Sequence, residues 1–207
     1  MKGRFITLEG VEGAGKSTQL ERLGAWLATD GNAVLRTREP GGTELGERVR
    51  TLLLNPNSGT IGSEAELLLM FAARAEHLRE VIRPALERGD WVLSDRFTDA
   101  TYAYQGAGRG VDWRKIEALE TWTQGTLRPD LVIVLDVPVS VGLERLQRRG
   151  PADRFEQETV DFFNRVRQCY LNRAAADPDG YAVVDARGTE DEVQERVRRS
   201  VQRAAKL

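Results

Sequence analysis

Three features of the chain predict a three-layer α/β fold with a mostly parallel sheet. Short apolar runs alternate with longer amphipathic stretches along the whole sequence. The runs are continuous rather than alternating, as expected of strands covered on both faces. The notable loops follow these runs, and in open α/β folds ligands bind beyond the carboxyl ends of the strands.

The runs are Phe5 to Leu8, Ala33 to Leu35, Trp91 to Leu93, Leu131 to Leu135 and Tyr181 to Val184. After the first, Leu20, Leu23 and Leu27 recur at i, i+3, i+7, the spacing of one helix face. Phe163, Val166 and Tyr170 repeat that spacing, and Val193, Val197 and Val201 form a closing stripe. Thr189 and Glu192 supply a capping box at the start of this last helix. Strand–helix alternation of this kind is the signature of helices packed on a parallel sheet. The tryptophans at 26, 91, 113 and 122 read as packing residues, and His77 as a surface or capping residue.

The 207 residues suffice for one substantial domain. The composition, 41% hydrophobic and 30% charged, is ordinary for a globular chain. Thirty basic residues against 32 acidic ones leave a net charge of -2, which gives no whole-protein attraction to nucleic acid or anionic membrane. Cys169 stands alone, so neither an intrachain disulfide nor a multi-cysteine metal site can form. No apolar run approaches the roughly 20 residues of a membrane span. The stretch Met1 to Glu9 is too short and polar for a signal peptide, so the expected location is the cytoplasm.

Gly10-Val11-Glu12-Gly13-Ala14-Gly15-Lys16-Ser17 matches the pattern G-x4-G-K-[ST] between a strand and a helix, the context this motif requires. Its glycines let successive backbone N–H groups converge on phosphate oxygens, and the helix N-terminus adds partial positive charge. Lys16 is expected at the β- and γ-phosphates of a nucleoside triphosphate, and the Ser17 hydroxyl on Mg2+. No Asn-Lys-x-Asp guanine-reading motif follows, which disfavours a GTPase switch. An arginine-rich segment, Arg148 to Arg154, contains a Gly150-Pro151 turn and fits a lid that closes over phosphates. Taken alone it also reads as a solvated basic loop, the lesser of the two readings. Asp95-Arg96, at the end of a strand, reads as an acceptor-phosphate clamp with a metal-shell carboxylate, or as a helix cap with a surface ion pair. Thr101, Tyr104 and Gln105 share one face if helical, enough to enclose a sugar and a base. Phe71 and Arg74, at i, i+3, place a ring beside a guanidinium; from spacing alone, Phe71 reads as core.

Together these segments resemble bacterial thymidylate kinase. The resemblance rests on Leu8 to Ser17, Thr37-Arg-Glu-Pro-Gly-Gly-Thr43, Leu69 to Arg74, Asp95 to Gln105, Leu127 to Leu131 and Asp153 to Glu156, all in family order. It implies a P-loop fold with a five-stranded parallel sheet flanked by helices, a lid at about residues 146–157, and a homodimer. The implied reaction is transfer of the ATP γ-phosphoryl group to dTMP with Mg2+. By position, Phe71 would stack on thymine and Arg74 would bond its carbonyl. Arg96, with Arg50, would hold the acceptor phosphate, with Glu39 also at the acceptor site. Thr101 and Gln105 would face the base, Tyr104 would crowd the 2' position of the sugar, and Glu12 would lie near the 3'-hydroxyl. Thr18 would join the phosphate loop in binding ATP, with Arg145 against the adenine and Arg187 in the loop beneath it. Gly13-Ala14 stand where some members carry a loop arginine, so the catalytic arginine would come from the lid, Arg154 first and Arg149 second. Asp95 would orient the acceptor and the metal. A kinase for another nucleoside monophosphate and a non-catalytic nucleotide-binding module are the alternative readings.

Overall fold

The computed structural model describes residues 3–148 and 152–204. Five strands, β1 (Phe5–Glu9), β2 (Val34–Arg38), β3 (Trp91–Asp95), β4 (Leu131–Asp136) and β5 (Tyr181–Asp185), form one sheet in the order β2-β3-β1-β4-β5. Every pairing is parallel. The register sets Leu8 beside Asp95 and Glu9 beside Val134, so the loops after β1 and β3 emerge next to each other at the carboxyl edge. Each expected apolar run falls in a strand, except that Ala33 lies one residue before β2. The strands continue past the runs into polar residues, such as Thr37 and Arg38 in β2 and Ser94 and Asp95 in β3. Apolar content marks the covered middle of a strand, whereas its carboxyl end meets the polar ligand edge.

The helices are α1 (Lys16–Thr29), α2 (Glu44–Leu54), α3 (Ser63–His77), α4 (Arg83–Arg88), α5 (Thr98–Thr101), α6 (Trp113–Gln124), α7 (Val139–Gln147), α8 (Val160–Ala176) and α9 (Glu190–Ala204). Wider, π-type turns at Leu78–Ile82 and Tyr102–Gly108 prolong α3 into α4 and extend α5. The expected capping box is formed: Thr189 N donates to Glu192 Oε2 at 2.8 Å, and Glu192 N to Thr189 Oγ1 at 3.3 Å. The middle of the sheet is buried on both faces. Phe5 and Val92 pack with Leu78, Ile82 and Ala85, while Ile6, Leu8 and Leu93 join the larger cluster with Leu20, Leu23 and Leu27. Alternate side chains of each strand thus serve opposite faces.

Two sequence expectations fail here. Trp122, on α6, is 82% exposed and is not a packing residue, whereas Trp113, 46% exposed on the same helix, does pack, edge-on against Tyr102 with ring centroids 5.2 Å apart. His77 is wholly buried, not at the surface. Its ring bridges Glu39 Oε1 (3.0 Å) and Thr37 Oγ1 (2.6 Å), tying α3 to the loop after β2. A lone histidine carries no periodicity, and only its tertiary partners reveal this post.

Candidate active site

The loop between β1 and α1 closes tightly because its glycines have no side chains. A Cβ on Gly13 would stand 2.1 Å from the Gly142 carbonyl oxygen of α7, at φ 71°, a region that L-residues rarely occupy. Lys16 is folded back into the loop, its ammonium donating to the carbonyls of Gly10 (3.0 Å) and Val11 (2.9 Å). Burial, with Arg96 next, pushes this ammonium down to about 8. Ser17 Oγ donates to Asp95 Oδ2 at 2.9 Å, which joins the start of α1 to the end of β3. Around this loop lies a polar cavity lined also by Ala14, Gly15, Thr18, Arg145, Ala186 and Gly188.

Arg96 has φ 71°, strained for a residue with a side chain. Its backbone is held from three sides. Arg96 N donates to Leu8 O at 3.0 Å, Ser94 Oγ donates to Arg96 O at 2.7 Å, and the next amide, Phe97 N, donates to Glu9 Oε1 at 2.7 Å. The kink aims the guanidinium across the loop, where Nη2 donates to Glu12 Oε1 and to the Tyr104 hydroxyl, both at 2.8 Å. The Tyr104 hydroxyl in turn donates to Glu12 Oε2 at 2.5 Å. Burial above all holds the Tyr104 phenol well above its ordinary range, so it keeps the proton it donates.

A second, more apolar cavity adjoins the first. It is lined by Glu39, Pro40, Leu54, Met70, Arg74, Phe97, Ala100, Thr101, Gln105 and Phe155. Glu12, Arg50, Arg96 and Asp153 line both cavities and mark their border. Arg74 is anchored by Nε on Glu39 Oε2 (2.7 Å) and by Nη2 on Phe97 O (3.1 Å) and Thr101 Oγ1 (3.0 Å). Its Nη1 is buried with no protein partner, the kind of unpaired donor that an incoming carbonyl satisfies. Glu39 spends both oxygens on Arg74 and His77, so it braces the cavity wall. Arg50 donates to Pro40 O at 3.1 Å, and burial, then Arg38 and Arg96, lower its pKa.

Phe71 is displaced from its expected place. It is 3% exposed in the core, its ring 4.8 Å from the Arg74 guanidinium, and it does not line the cavity. Met70 lines it instead. Met70 and Arg74 are i, i+4 on α3 and share the cavity side, whereas Phe71 is turned by a further ~100° toward the interior.

The lid residues are divided. Arg149 lies outside the described residues. Arg154 lines neither cavity: Nε donates to Leu53 O at 2.6 Å, and Nη2 pairs with the fully buried Glu66 at 2.5 Å. Asp153, one residue earlier, is the lid residue at the cavity border. Arg145 donates to Gly13 O (3.3 Å) and Ala186 O (3.2 Å), bracing the far end of the phosphate-loop cavity. The Arg187 side chain is exposed and turns to Asp185 at 2.8 Å, so its neighbours Ala186 and Gly188 form that wall. Sequence reasoning missed Met70, Glu66 and Asp153. A stripe at i, i+4, i+8 on α3 (Glu66, Met70, Arg74) was the available signal, and its mixed polarity hid it from an apolar count.

Comparison with known proteins agrees with this geometry. The family model described as thymidylate kinase matches residues 8–197. A thymidylate kinase of Pseudomonas syringae pv. syringae is 60% identical over 194 residues, covering 94% of this chain and 92% of that one. That of Neisseria meningitidis serogroup A is 55% identical over 203 residues, covering 98% of each. The crystal structure of thymidylate kinase from Ehrlichia chaffeensis superposes with a TM-score of 0.80 at 32% identity, covering 98% of this chain and 100% of that one. With residues 8–197 matched by the family model and nearly its full length matched by these relatives, the chain belongs to the thymidylate kinase family.

Proposed function

We propose that this chain transfers the γ-phosphoryl group of ATP to dTMP, giving dTDP and ADP, as one catalytic unit whose lid spans about residues 146–157. The observation that carries the reading is the pair of adjoining cavities. One is built on a phosphate loop, the other is more apolar and lined by Met70, Phe97, Arg74 and Gln105, and Arg50 and Arg96 stand at their border. An acceptor phosphate at that border lies between two guanidinium groups and faces the end of the triphosphate. One of its oxygens attacks the γ-phosphorus in line, and the bond to the β-bridging oxygen breaks. The attacking oxygen is already ionised, so no strong base is needed, and positioning and charge stabilisation do most of the work.

Lys16 leaves its loop carbonyls for the β- and γ-phosphates. The hydroxyl of Ser17 and the carboxylate of Asp95, already 2.9 Å apart, are hard oxygen donors that fit Mg2+. Bound there with the phosphates, Mg2+ would neutralise their charge. The lid supplies Arg154 or Arg149 to the transferring group. Met70 and Phe97 flank the base, and Arg74 Nη1 and Gln105 reach its polar edge. Tyr104, fixed by Glu12 and Arg96, crowds the 2' position of the sugar. The enzyme works in the cytoplasm as a homodimer.

The test is ADP release from Mg-ATP with dTMP, dUMP, UMP, dCMP, AMP and GMP in turn. Strong preference for dTMP is expected. Preference for another monophosphate would keep the phosphate sites and overturn the base roles, and no turnover with any would point to a nucleotide-binding module.

A further inference from the structure

Glu66 sits on α3 with no exposed surface, and no part of it lines either cavity. Its carboxylate is nonetheless occupied by three donors from two distant parts of the chain. Oε1 accepts from Gln105 Nε2 at 2.8 Å and from Arg109 Nε at 3.4 Å, and Oε2 accepts from Arg154 Nη2 at 2.5 Å. A carboxylate is only an acceptor, while an amide has one accepting and one donating end. The Gln105 side chain therefore has to give its NH2 to Glu66. Its Oε1, with no protein partner among the described residues, is left for the cavity that Gln105 lines. Arg74 lines the same cavity, and its Nη1 is a buried donor with no protein partner. The cavity wall thus shows one acceptor and one donor. That pair complements a ring with an N–H next to a carbonyl, as in thymine and uracil. It opposes cytosine, whose corresponding edge has an acceptor nitrogen next to an amine.

From this we infer that Glu66, without touching substrate, sets base selectivity by fixing the orientation of the Gln105 amide. The inference rests on the proposed base role of the second cavity. In Glu66→Gln, Arg154, whose bond is 2.5 Å against 3.4 Å for Arg109, keeps the new amide oxygen, and Arg109 keeps its pairing with Glu158. The new NH2 then faces Gln105, which must turn its own oxygen inward and show NH2 to the base. The wall loses its acceptor for the ring N–H and gains a donor for cytosine.

The test is the kcat/KM ratio of dTMP to dCMP in wild type, Glu66→Gln, Gln105→Leu and the double variant. A ratio cancels any common effect on phosphoryl transfer through Arg154. Glu66→Gln should lower the ratio by about 10-fold or more, the value of one reversed hydrogen bond, and should do nothing further in the Gln105→Leu background. An unchanged ratio, or equal losses on both substrates, would overturn the inference. If Gln105→Leu itself leaves the ratio unmoved, the base role of the cavity has failed instead. Should Glu66→Gln not fold, the wild type still decides. The side-chain NH2 of Gln105, assigned by its loss in Gln105→Leu, should exchange slowly with solvent and shift little when dTMP binds. Fast exchange or a large shift would place the NH2 in the cavity and refute the orientation.

Discussion

At the scale of single residues, the chemistry turns on groups held away from their ordinary states. Lys16 is the clearest. Burial brings its ammonium down to about 8, so at pH 9 the free protein holds it mostly neutral. Phosphates draw the proton back, so ATP binding at pH 9 should take up close to one proton. Calorimetry in buffers of differing ionisation enthalpy reads this directly, and buffer-independent heat would show that Lys16 is not at the phosphates. Met70 and Phe71 form a second pair of expectations. Phe71→Ala should cost about 3–5 kcal/mol of stability as a core truncation, with the relative KM values for dTMP and ATP little changed. Met70→Ala should raise KM for dTMP and leave that for ATP. The reverse pattern would restore the stacking role to Phe71. Spacing could not separate the two, because i, i+3 and i, i+4 are both neighbours on a helix.

At the scale of elements, the turn after β3 is the feature the rest of the site depends on. Its left-handed Arg96 is held by β1 through Leu8 O and Glu9. Glu9 is fully buried, with one oxygen bonded to Phe97 N and the other unpartnered. Burial first, then Asp99, pushes its carboxyl up to about 8. Its folded pKa therefore exceeds the ordinary 4.5 of the unfolded chain. Folding takes up a proton between those values, so this group's contribution is complete below pH 4.5 and is lost as pH rises toward 8. Glu9→Gln, which mimics the protonated acid, should remove that part of the slope of Tm against pH. Parallel Tm profiles for the two proteins would mean that Glu9 does not titrate in this window. The π-type turn after α5 is a second device. It keeps Tyr104 and Gln105 on the cavity wall with Thr101, and such turns are frequent at functional sites.

At the scale of the whole molecule, α3 and α6 pack side by side, and each leaves an apolar side chain in the open. Leu68 is 56% exposed and Trp122 is 82% exposed. A subunit contact covers such area at little desolvation cost. Leu68→Asp should shift the sedimentation coefficient from dimer to monomer. A wild type that already sediments as a monomer, or a variant that remains dimeric, would move the contact elsewhere or remove it.

The sequence alone determined the sheet, the phosphate loop and the family. The reason is that these are local: apolar runs mark covered strands, and a loop that cradles phosphate needs glycines and a lysine at fixed spacing. It also located Asp95, Arg96, Thr101, Tyr104 and Gln105, because one strand end and one helical turn carry them together. Tertiary structure alone decided which face each residue shows and what occupies its polar atoms. It buried His77 beneath Glu39, exposed Trp122, buried Phe71 while setting Met70 in the cavity lining, and held Arg154 on Glu66. The posts of His77 and Arg154 depend on partners tens of residues away, which no pattern within a single helix or loop encodes.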